Sequence, residues 1–286
     1  MKLLHLILSM SVAAVAAPAA VAAPQNPAPP EAAAQTTAPA PTLERIRQRG
    51  YLIVGNEFKF PTMNVLDPAT GRNEGFMADL ARSLAQRLFG DEGKVKFFHT
   101  EDDTRLNDVV DGRVDMLIDT TGGIADNAAQ LDAKKKLVDF SDETFHSGSA
   151  LLVRKDGPVK GLDDIGEGAR VLYVKANPDV AVLRARAPHA SYIAFDSSAD
   201  ALAALKAGRG DAFTQVVTHL YRAASQDAAY TVVGRFTGKS YAVVYRKGDR
   251  ALGAYLNDWL AAIKANGEYD RLYRKWFFPY GGAALR

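Results

Sequence analysis

The sequence predicts an α/β protein with two similar lobes, because one succession of elements occurs twice. Residues 106–118 read as a helix end, a Gly-Arg-x-Asp turn and an apolar strand, and residues 201–213 repeat this order. Apolar strands and amphipathic helices alternate elsewhere in the chain, which favours a largely parallel sheet with helices on both faces. One large α/β domain with two ordinary αβ loops is the alternative, and the repeat alone does not decide between them.

The turn in each repeated unit has a physical reason. Gly112 and Gly208 can take the left-handed conformation that ends a helix, because glycine has no Cβ to clash. The apolar residues that follow each turn then start a buried strand. Two lobes of this kind would face each other across a cleft, and clefts between domains are preferred ligand sites.

The other elements follow from apolar spacing and from turn residues. Thr42 can cap a first helix that Gly50 ends, while Leu80 and Leu84 stand at helical spacing in a second helix that Gly90 stops. Helices are predicted at 43–48, 77–89, 104–111, 181–187, 198–207, 220–225, 250–264 and from 269 to 276, with a short helical turn at 162–165. Strands are predicted at 52–55, 94–99, 114–118, 150–153, 171–174 and 241–245.

Composition excludes several classes of function. The chain has 35 basic and 33 acidic residues, and this balance gives no argument for a nucleic-acid partner. It has no cysteine, so disulfides and thiolate metal sites are excluded. The histidines lack metal-ligand spacing, and no nucleophile elbow, P-loop or dinucleotide motif is present. We therefore expect no metal, no cofactor and no catalytic activity.

The N-terminus reads as an export signal. Lys2 precedes an apolar run from Leu3 to Val15, and Val21-Ala22-Ala23 fits a cleavage site. Residues 1–23 are therefore predicted to be a signal peptide, with a retained membrane anchor as the alternative. Residues 24–41 are rich in alanine and proline and are expected to form a linker. The absence of a cysteine for lipid attachment leads us to expect a soluble protein of the periplasm.

The second repeated unit lies between the apolar runs at 151–153 and 241–245. Residues 42–150 and 241–286 are therefore expected to form one lobe, and residues 151–240 the other. The two apolar runs would then be the crossings between the lobes, where a hinge permits closure about the cleft.

Motifs along the mature chain resemble one family. They lie at 43–55, 75–81, 106–115, 140–142, 208–212 and 266–277. The order and spacing of these motifs make the chain from about Thr42 to Phe278 similar to the family 3 extracellular solute-binding proteins, which serve polar amino-acid ABC transporters. Segments 88–92 and 103–106 look like the acidic-amino-acid binders. The resemblance implies the type II periplasmic-binding-protein fold, a hinge, and an interlobe cleft for one small polar solute. It implies an inner-membrane ABC permease as partner, and we expect a monomer.

The resemblance supplies candidate ligand contacts in both lobes. In the acidic-amino-acid binders, the arginine that matches Arg105 holds a side-chain carboxylate, which suits the planar guanidinium. The alternative is a surface arginine paired with Asp102 or Asp108. Phe58 or Phe60 would form an aromatic wall, although burial in the core is the alternative for each. The complete predicted set is Glu57, Phe58, Phe60, Arg105, Asp119, Thr120, Thr121, Gly122, Asn177 and Gln215.

Residues 119–122 match a polar pocket wall of the family, in which hydroxyl and backbone groups bind the ligand. Thr120 and Thr121 are the preferred contacts here, and the alternative is that their hydroxyls only cap the next turn. Glu57 stands where some binders of acidic solutes carry lysine. An acid at this place attracts an amine and repels a carboxylate.

Three departures from the family bear on the ligand. The segment 124–137 lacks the arginine that usually grips the α-carboxylate, and Lys134 is the nearby substitute. Segment 175–179 replaces the Gly-Thr-Thr that usually binds the same group, and segment 213–216 lacks the amino-binding aspartate. A small zwitterion or an amine-bearing solute therefore fits better than a dianion.

Two other functions are compatible with this sequence. The cyclohexadienyl dehydratases are exported enzymes of this fold that act on prephenate or arogenate, and Glu57 and Arg105 would supply the cleft acid and cation they need. A sensory binding protein that presents its ligand to a membrane receptor is the other alternative.

Overall fold

The computed structural model describes residues 41–60, 62–121 and 128–278. The predicted signal peptide, nearly all of the predicted linker and Gly122 lie outside the described residues. Within the described part of the chain, the strands form two five-stranded sheets and a small three-stranded sheet. No helix in this part has both the length and the apolar character needed to cross a membrane.

The elements alternate as the sequence predicts. In chain order the strands are β1 (Leu52–Asn56), β2 (Lys59–Phe60), β3 (Asn64–Leu66), β4 (Asn73–Glu74), β5 (Val95–His99), β6 (Met116–Leu117), β7 (Val138–Ser147), β8 (Ser149–Arg154), β9 (Arg170–Val174), β10 (Ser191–Phe195), β11 (Ala212–Val216), β12 (Tyr230–Val233) and β13 (Lys239–Arg246). The helices are α1 (Thr42–Arg49), α2 (Phe76–Phe89), α3 (Arg105–Val110), α4 (Ala128–Leu137), α5 (Val180–Arg186), α6 (Ser198–Lys206), α7 (Val217–Gln226), α8 (Arg250–Ala265) and α9 (Glu268–Phe277), with a 3-10 turn at Leu162–Asp164.

Each large sheet mixes parallel and antiparallel strands, so the prediction of a largely parallel sheet is only partly right. The first sheet has the order β5-β1-β6-β13-β7, and the second has the order β10-β9-β11-β8-β12. In each, the first three strands are parallel, the fourth (β13 or β8) runs antiparallel to both of its neighbours, and the fifth runs in the direction of the first three. We call the unit around the first sheet lobe one and the unit around the second sheet lobe two.

The chain passes between the sheets close to, but not at, the runs predicted to be crossings. Residues 151–153 lie inside β8, in the second sheet, and residues 241–245 lie inside β13, in the first. The crossings are Gly148, between β7 and β8, and the segment 234–238, between β12 and β13. Gly148 has a φ of +135°, and a Cβ there would lie 2.1 Å from the carbonyl oxygen of Thr237, so the two crossings touch.

The repeated glycines act as predicted. Gly112 follows α3 with a φ of +76°, and Gly208 follows α6 with a φ of +71°, so both take the left-handed conformation. One local prediction is wrong: Thr42 does not cap the first helix but is its first residue, and its N–H donates to Oδ2 of Asp249 at 3.2 Å. Pro41 occupies the capping position and contributes no side-chain hydrogen bond.

The repeated aspartates fix the register of neighbouring parallel strands. Oδ2 of Asp115 accepts the N–H of Ile53 in β1 at 2.8 Å, and a guanidinium nitrogen of Arg49. Oδ2 of Asp211 accepts the N–H of Arg170, the first residue of β9, at 2.8 Å. The guanidinium of Arg170 also donates to both carboxylate oxygens of Asp211. The same side chain therefore performs the same task in both lobes.

An aromatic cluster joins the two lobes. The ring of Tyr221, in α7 of lobe two, lies 5.0 Å from that of Phe278 and 6.4 Å from that of Tyr273 in α9. Tyr273 in turn stacks on Phe145 of β7 at 5.7 Å. Because these rings are packed together away from water, they contribute to stability through both area and ring geometry.

Candidate functional site

The candidate residues follow strands that end at one edge of the first sheet. β1 and β6 are parallel, so Glu57 and the segment 119–121 both lie beyond carboxyl ends of strands. β13 runs antiparallel to β6 and pairs with the end of β7, so the start of β13 and the end of β7 lie at this same edge. In the second sheet, β9 and β11 end at the edge where β8 begins. The crossing at Gly148 joins the two edges.

Glu57 is held between a cation and a hydroxyl group. Nη1 of Arg105 donates to Oε1 of Glu57 at 2.7 Å, and the hydroxyl of Thr120 donates to Oε2 at 2.9 Å. The Glu57 side chain is only 1% exposed, and that of Arg105 is 15% exposed. The structure therefore brings together three of the predicted site residues around a buried carboxylate.

Two further carboxylates face the same guanidinium. Nη2 of Arg105 lies 3.2 Å from Oδ1 of Asp102, and Nη1 lies 3.6 Å from Oδ2 of Asp119. We call Glu57, Asp102, Arg105 and Asp119 the acidic cluster. The guanidinium is neutralised by protein carboxylates, and the cluster has a net negative charge whenever more than one of them is ionised.

The environment favours the protonated form of Glu57. Burial raises the pKa of Glu57 to about 7, and contact with the carboxyl of Asp102 and the charge of Asp119 act in the same direction. The charge of Arg105 and the hydrogen bond from Thr120 lower it in part. Burial likewise raises the pKa of Asp119, against the lowering effect of Arg105.

The polar wall after β6 is buried. The N–H of Thr121 donates to Oδ1 of Asp119 at 2.7 Å, so the side chain that bonds the backbone of this turn is the aspartate and not a threonine hydroxyl. Within the described ranges, the buried Oγ1 of Thr121 and Oδ2 of Asp119 have no hydrogen-bond partner. Buried polar atoms are normally paired, so both atoms can accept a further hydrogen bond, although Oδ2 of Asp119 also lies 3.6 Å from the Arg105 guanidinium.

The two phenylalanines lie in different surroundings. Phe58 has a φ of +59°, its ring lies 5.3 Å from that of His99, and it lines a separate cavity of about 410 Å³ with Phe97. Phe60 is 40% exposed and belongs to the two-residue strand β2. The aromatic wall is still a prediction, and Phe60 is the residue with surface available for it.

Lobe two places its two candidates beside its own strands. Gln215 donates through Nε2 to Oγ of Ser198 at 3.3 Å, and its Oε1 accepts the N–H of Val216 at 2.9 Å. Asn177 is 6% exposed, and its Oδ1 accepts the N–H of Asp179 at 3.0 Å. The buried Nδ2 of Asn177 has no partner among the described residues.

A cavity of about 380 Å³ lies between the two sheet edges, beside both crossings. Lobe one supplies Ser147 and Tyr241, and lobe two supplies Asn177, Asp179 and Val216. The cavity therefore has walls from both lobes, and Asn177 is the lobe-two candidate that lines it.

Two residues of these edges were not predicted as site residues. Asn56 is fully buried, its Nδ2 donates to the carbonyl of Ile118 at 3.3 Å, and its Oδ1 accepts the N–H of Phe58. Asn56 therefore links the loop that holds Glu57 to the segment before the polar wall. Its position at the end of a buried strand is the sequence feature from which this role could have been predicted. Asp179 lies in segment 175–179, which matches a ligand-binding segment of the family, but its partners Ser149 and Thr237 come from the crossings and have no sequence signal.

The model of the bacterial extracellular solute-binding proteins, family 3, matches residues 52–279 of this chain. The ABC transporter glutamine-binding protein of Bacillus subtilis (strain 168) is 34% identical over 236 residues, which cover 82% of this chain and 84% of that protein. A glutamine-binding protein of Geobacillus stearothermophilus is 34% identical over 241 residues, covering 84% of this chain and 89% of that protein.

Solved structures share the two-lobe architecture. An ancestral cationic amino-acid solute-binding protein is 31% identical with a TM-score of 0.66, and the match covers 82% of this chain and 99% of that one. An ancestral cyclohexadienyl dehydratase is 28% identical with a TM-score of 0.66, covering 84% of this chain and 98% of that one. The predicted type II fold with two lobes is thereby confirmed.

Proposed function

This chain belongs to the bacterial extracellular solute-binding proteins of family 3, and we propose that it binds one polar amino acid and delivers it to an ABC permease. The predicted signal peptide and the family description support a location in the periplasm. The observation that carries the proposal is the buried carboxylate of Glu57, which Arg105 and Thr120 hold at the edge of lobe one.

The charge of this site favours a ligand side chain that donates hydrogen bonds. One guanidinium meets three carboxylates in the acidic cluster, so a ligand carboxylate beside it would add negative charge in a cleft with little water. An amide or a cationic side chain would instead donate to Glu57 or to Oδ2 of Asp119. Relatives named as glutamine-binding share 34% identity with this chain, and an ancestral relative is named for cationic amino acids. We propose glutamine as the first ligand to test and arginine as the second.

Calorimetric titration with glutamine, arginine, glutamate and aspartate tests this assignment. We expect glutamine or arginine to bind with a Kd of about 1 μM or below, close to −8 kcal/mol. Glutamate and aspartate should bind at least about 100-fold more weakly, because their side-chain carboxylates face the acidic cluster. Glu57→Gln should narrow this difference, whereas the exposed Glu167→Gln should preserve it. Tight binding of glutamate or aspartate that Glu57→Gln leaves unchanged would refute the charge argument.

One observation favours a second function. A buried carboxyl group with a pKa of about 7 is suited to general acid–base catalysis near neutral pH, and a structural relative is named as a dehydratase. Its substrate class, prephenate or arogenate, carries carboxylates that would need free cationic groups. We therefore rank an elimination reaction second. Incubation with each compound, followed by detection of the aromatic product, tests it, and product formation that Glu57→Gln abolishes would establish an enzyme.

A further inference from the structure

The cavity between the sheet edges combines residues that match the two charges of an amino acid. Within the lining that the structure describes, Asp179 is the one carboxylate and Lys239 the one cationic side chain. Val216, at the end of β11, is an apolar part of this lining. The cavity has a volume of about 380 Å³, which is of the size that small-molecule sites have.

The carboxylate of Asp179 is fixed by both crossings. Its Oδ2 accepts the hydroxyl of Ser149 at 2.7 Å and that of Thr237 at 3.0 Å. Both hydroxyl groups use the same oxygen, so neither one engages Oδ1. A carboxylate held rigidly by one oxygen is preorganised to bind a cation with the other.

Asn177 supplies a second, independent sign of a ligand. Its Oδ1 is used by the N–H of Asp179, which fixes the orientation of the amide group. Its Nδ2 is buried and unpartnered among the described residues, although buried donors are normally paired. A donor of this kind, beside a carboxylate and in a cavity, suits the carboxylate end of a zwitterion.

We propose that Asp179 binds the α-ammonium group of the amino acid and that Nδ2 of Asn177 binds its α-carboxylate. The proposal rests on the proposed function and names the contacts for the part that all amino acids share. The acidic cluster of lobe one would then face the ligand side chain. Asp179 also accepts hydrogen bonds from Ser149 and Thr237, which lie next to or in the two crossings. The ammonium group of the ligand would therefore bind at the place where the lobes join.

The test couples one change in the protein to one change in the ligand. Asp179→Asn removes the charge but keeps an oxygen that accepts from Ser149 and Thr237. Titrations would use glutamine and 4-carbamoylbutanoate, which is glutamine without its amino group; if arginine is the tighter ligand, arginine and 5-guanidinopentanoate replace them. In the native protein, loss of the amino group should weaken binding on the order of 100-fold. In Asp179→Asn the two compounds should bind with nearly equal affinity.

A matched control and thermal unfolding complete the design. Asp196→Asn makes the same charge change at an exposed residue of lobe two, and it should keep the native preference for the amino acid. Thermal unfolding of Asp179→Asn reports whether the fold is kept. Asp179→Asn protein that folds and still prefers glutamine by the native factor would overturn this proposal alone. Native protein that binds neither amino acid would overturn it together with the proposed function.

Discussion

Glu57 and Arg105 are separated by 48 residues in the chain and joined by a hydrogen bond of 2.7 Å. The contact connects the loop after β1 to the first residue of α3, across the edge of lobe one. A buried ion pair of this kind contributes little net stability, but loss of one partner leaves an uncompensated charge. The consequences for stability can be measured without knowledge of the ligand.

Arg105→Ala should destabilise the protein by about 3–5 kcal/mol, because Glu57 and Asp119 lose the one cation of the acidic cluster. Urea unfolding near neutral pH would measure the free energy of unfolding. Arg154→Ala is the matched control, since its pair with Asp156 is exposed to solvent and should contribute little to stability. Equal losses in the two variants would contradict the role given to Arg105.

Stability should depend on pH through Glu57. Its pKa of about 7 in the folded protein lies above the ordinary value of 4.5, so the folded state holds the proton more tightly. The stability that this group contributes is fully present below pH 4.5 and is lost as the pH rises through about 7. Asp119, whose pKa burial also raises, acts in the same direction.

Glu57→Gln should therefore flatten the pH profile. From about pH 5 to pH 8 the native protein should lose up to about 3 kcal/mol more stability than the variant. Urea midpoints at a series of pH values would measure the difference. Glu167→Gln, at an exposed position, should follow the native profile. Parallel profiles for native protein and Glu57→Gln would show that the proton is not held at Glu57.

Gly148→Ala should destabilise the protein by about 2–4 kcal/mol, because a Cβ adds both backbone strain and overlap with a backbone carbonyl. The φ of +135° and the 2.1 Å approach to Thr237 oxygen leave no side chain that can move aside. Gly166→Ala is the control, since nothing lies within 4 Å of its added Cβ. Thermal unfolding that shows the same loss of stability in both variants would argue against close packing of Gly148 on Thr237.

Closure should bend the chain at Gly148 and at segment 234–238, the two crossings between the sheets. Small-angle scattering of the protein with and without saturating glutamine, or arginine if that binds more tightly, should then show a more compact particle in the presence of ligand. Unchanged scattering at saturation, confirmed by calorimetry in the same buffer, would count against hinge closure.

The strands that sequence analysis missed lie mostly at sheet edges. β7, β10 and β12 are terminal strands of their sheets, and every residue of β10 is exposed or partly exposed. An edge strand has no neighbour on one side, so it tolerates polar residues, and the polar pattern of β7 resembles that of a loop. The inner strands β1 and β8 are mainly apolar and buried on both faces, and these were predicted correctly.

For the candidate site, the positions of some residues could be predicted from the sequence, but their partners could not. Residues such as Glu57 and Thr120 follow a strand that the sequence reveals, so their place at the edge was predictable. Their partners were not, because a guanidinium that suits a ligand carboxylate suits a protein carboxylate equally well. The surroundings of Asp179 depend on two segments, at Ser149 and at Thr237, which meet only in the folded protein.

The contact between the crossings also determines how the molecule would carry mechanical load. Both ends of the described chain belong to lobe one, while lobe two leaves and returns through adjacent segments, where the N–H of Ser149 donates to Oγ1 of Thr237 at 2.8 Å. Once the packing of Phe278 on Tyr221 of lobe two is broken, a force that pulls on the two ends passes through the first sheet and reaches the second sheet only when β7 separates from β13. Lobe two is a mechanically shielded insertion, and optical-tweezer traces should show it extending only after lobe one has opened.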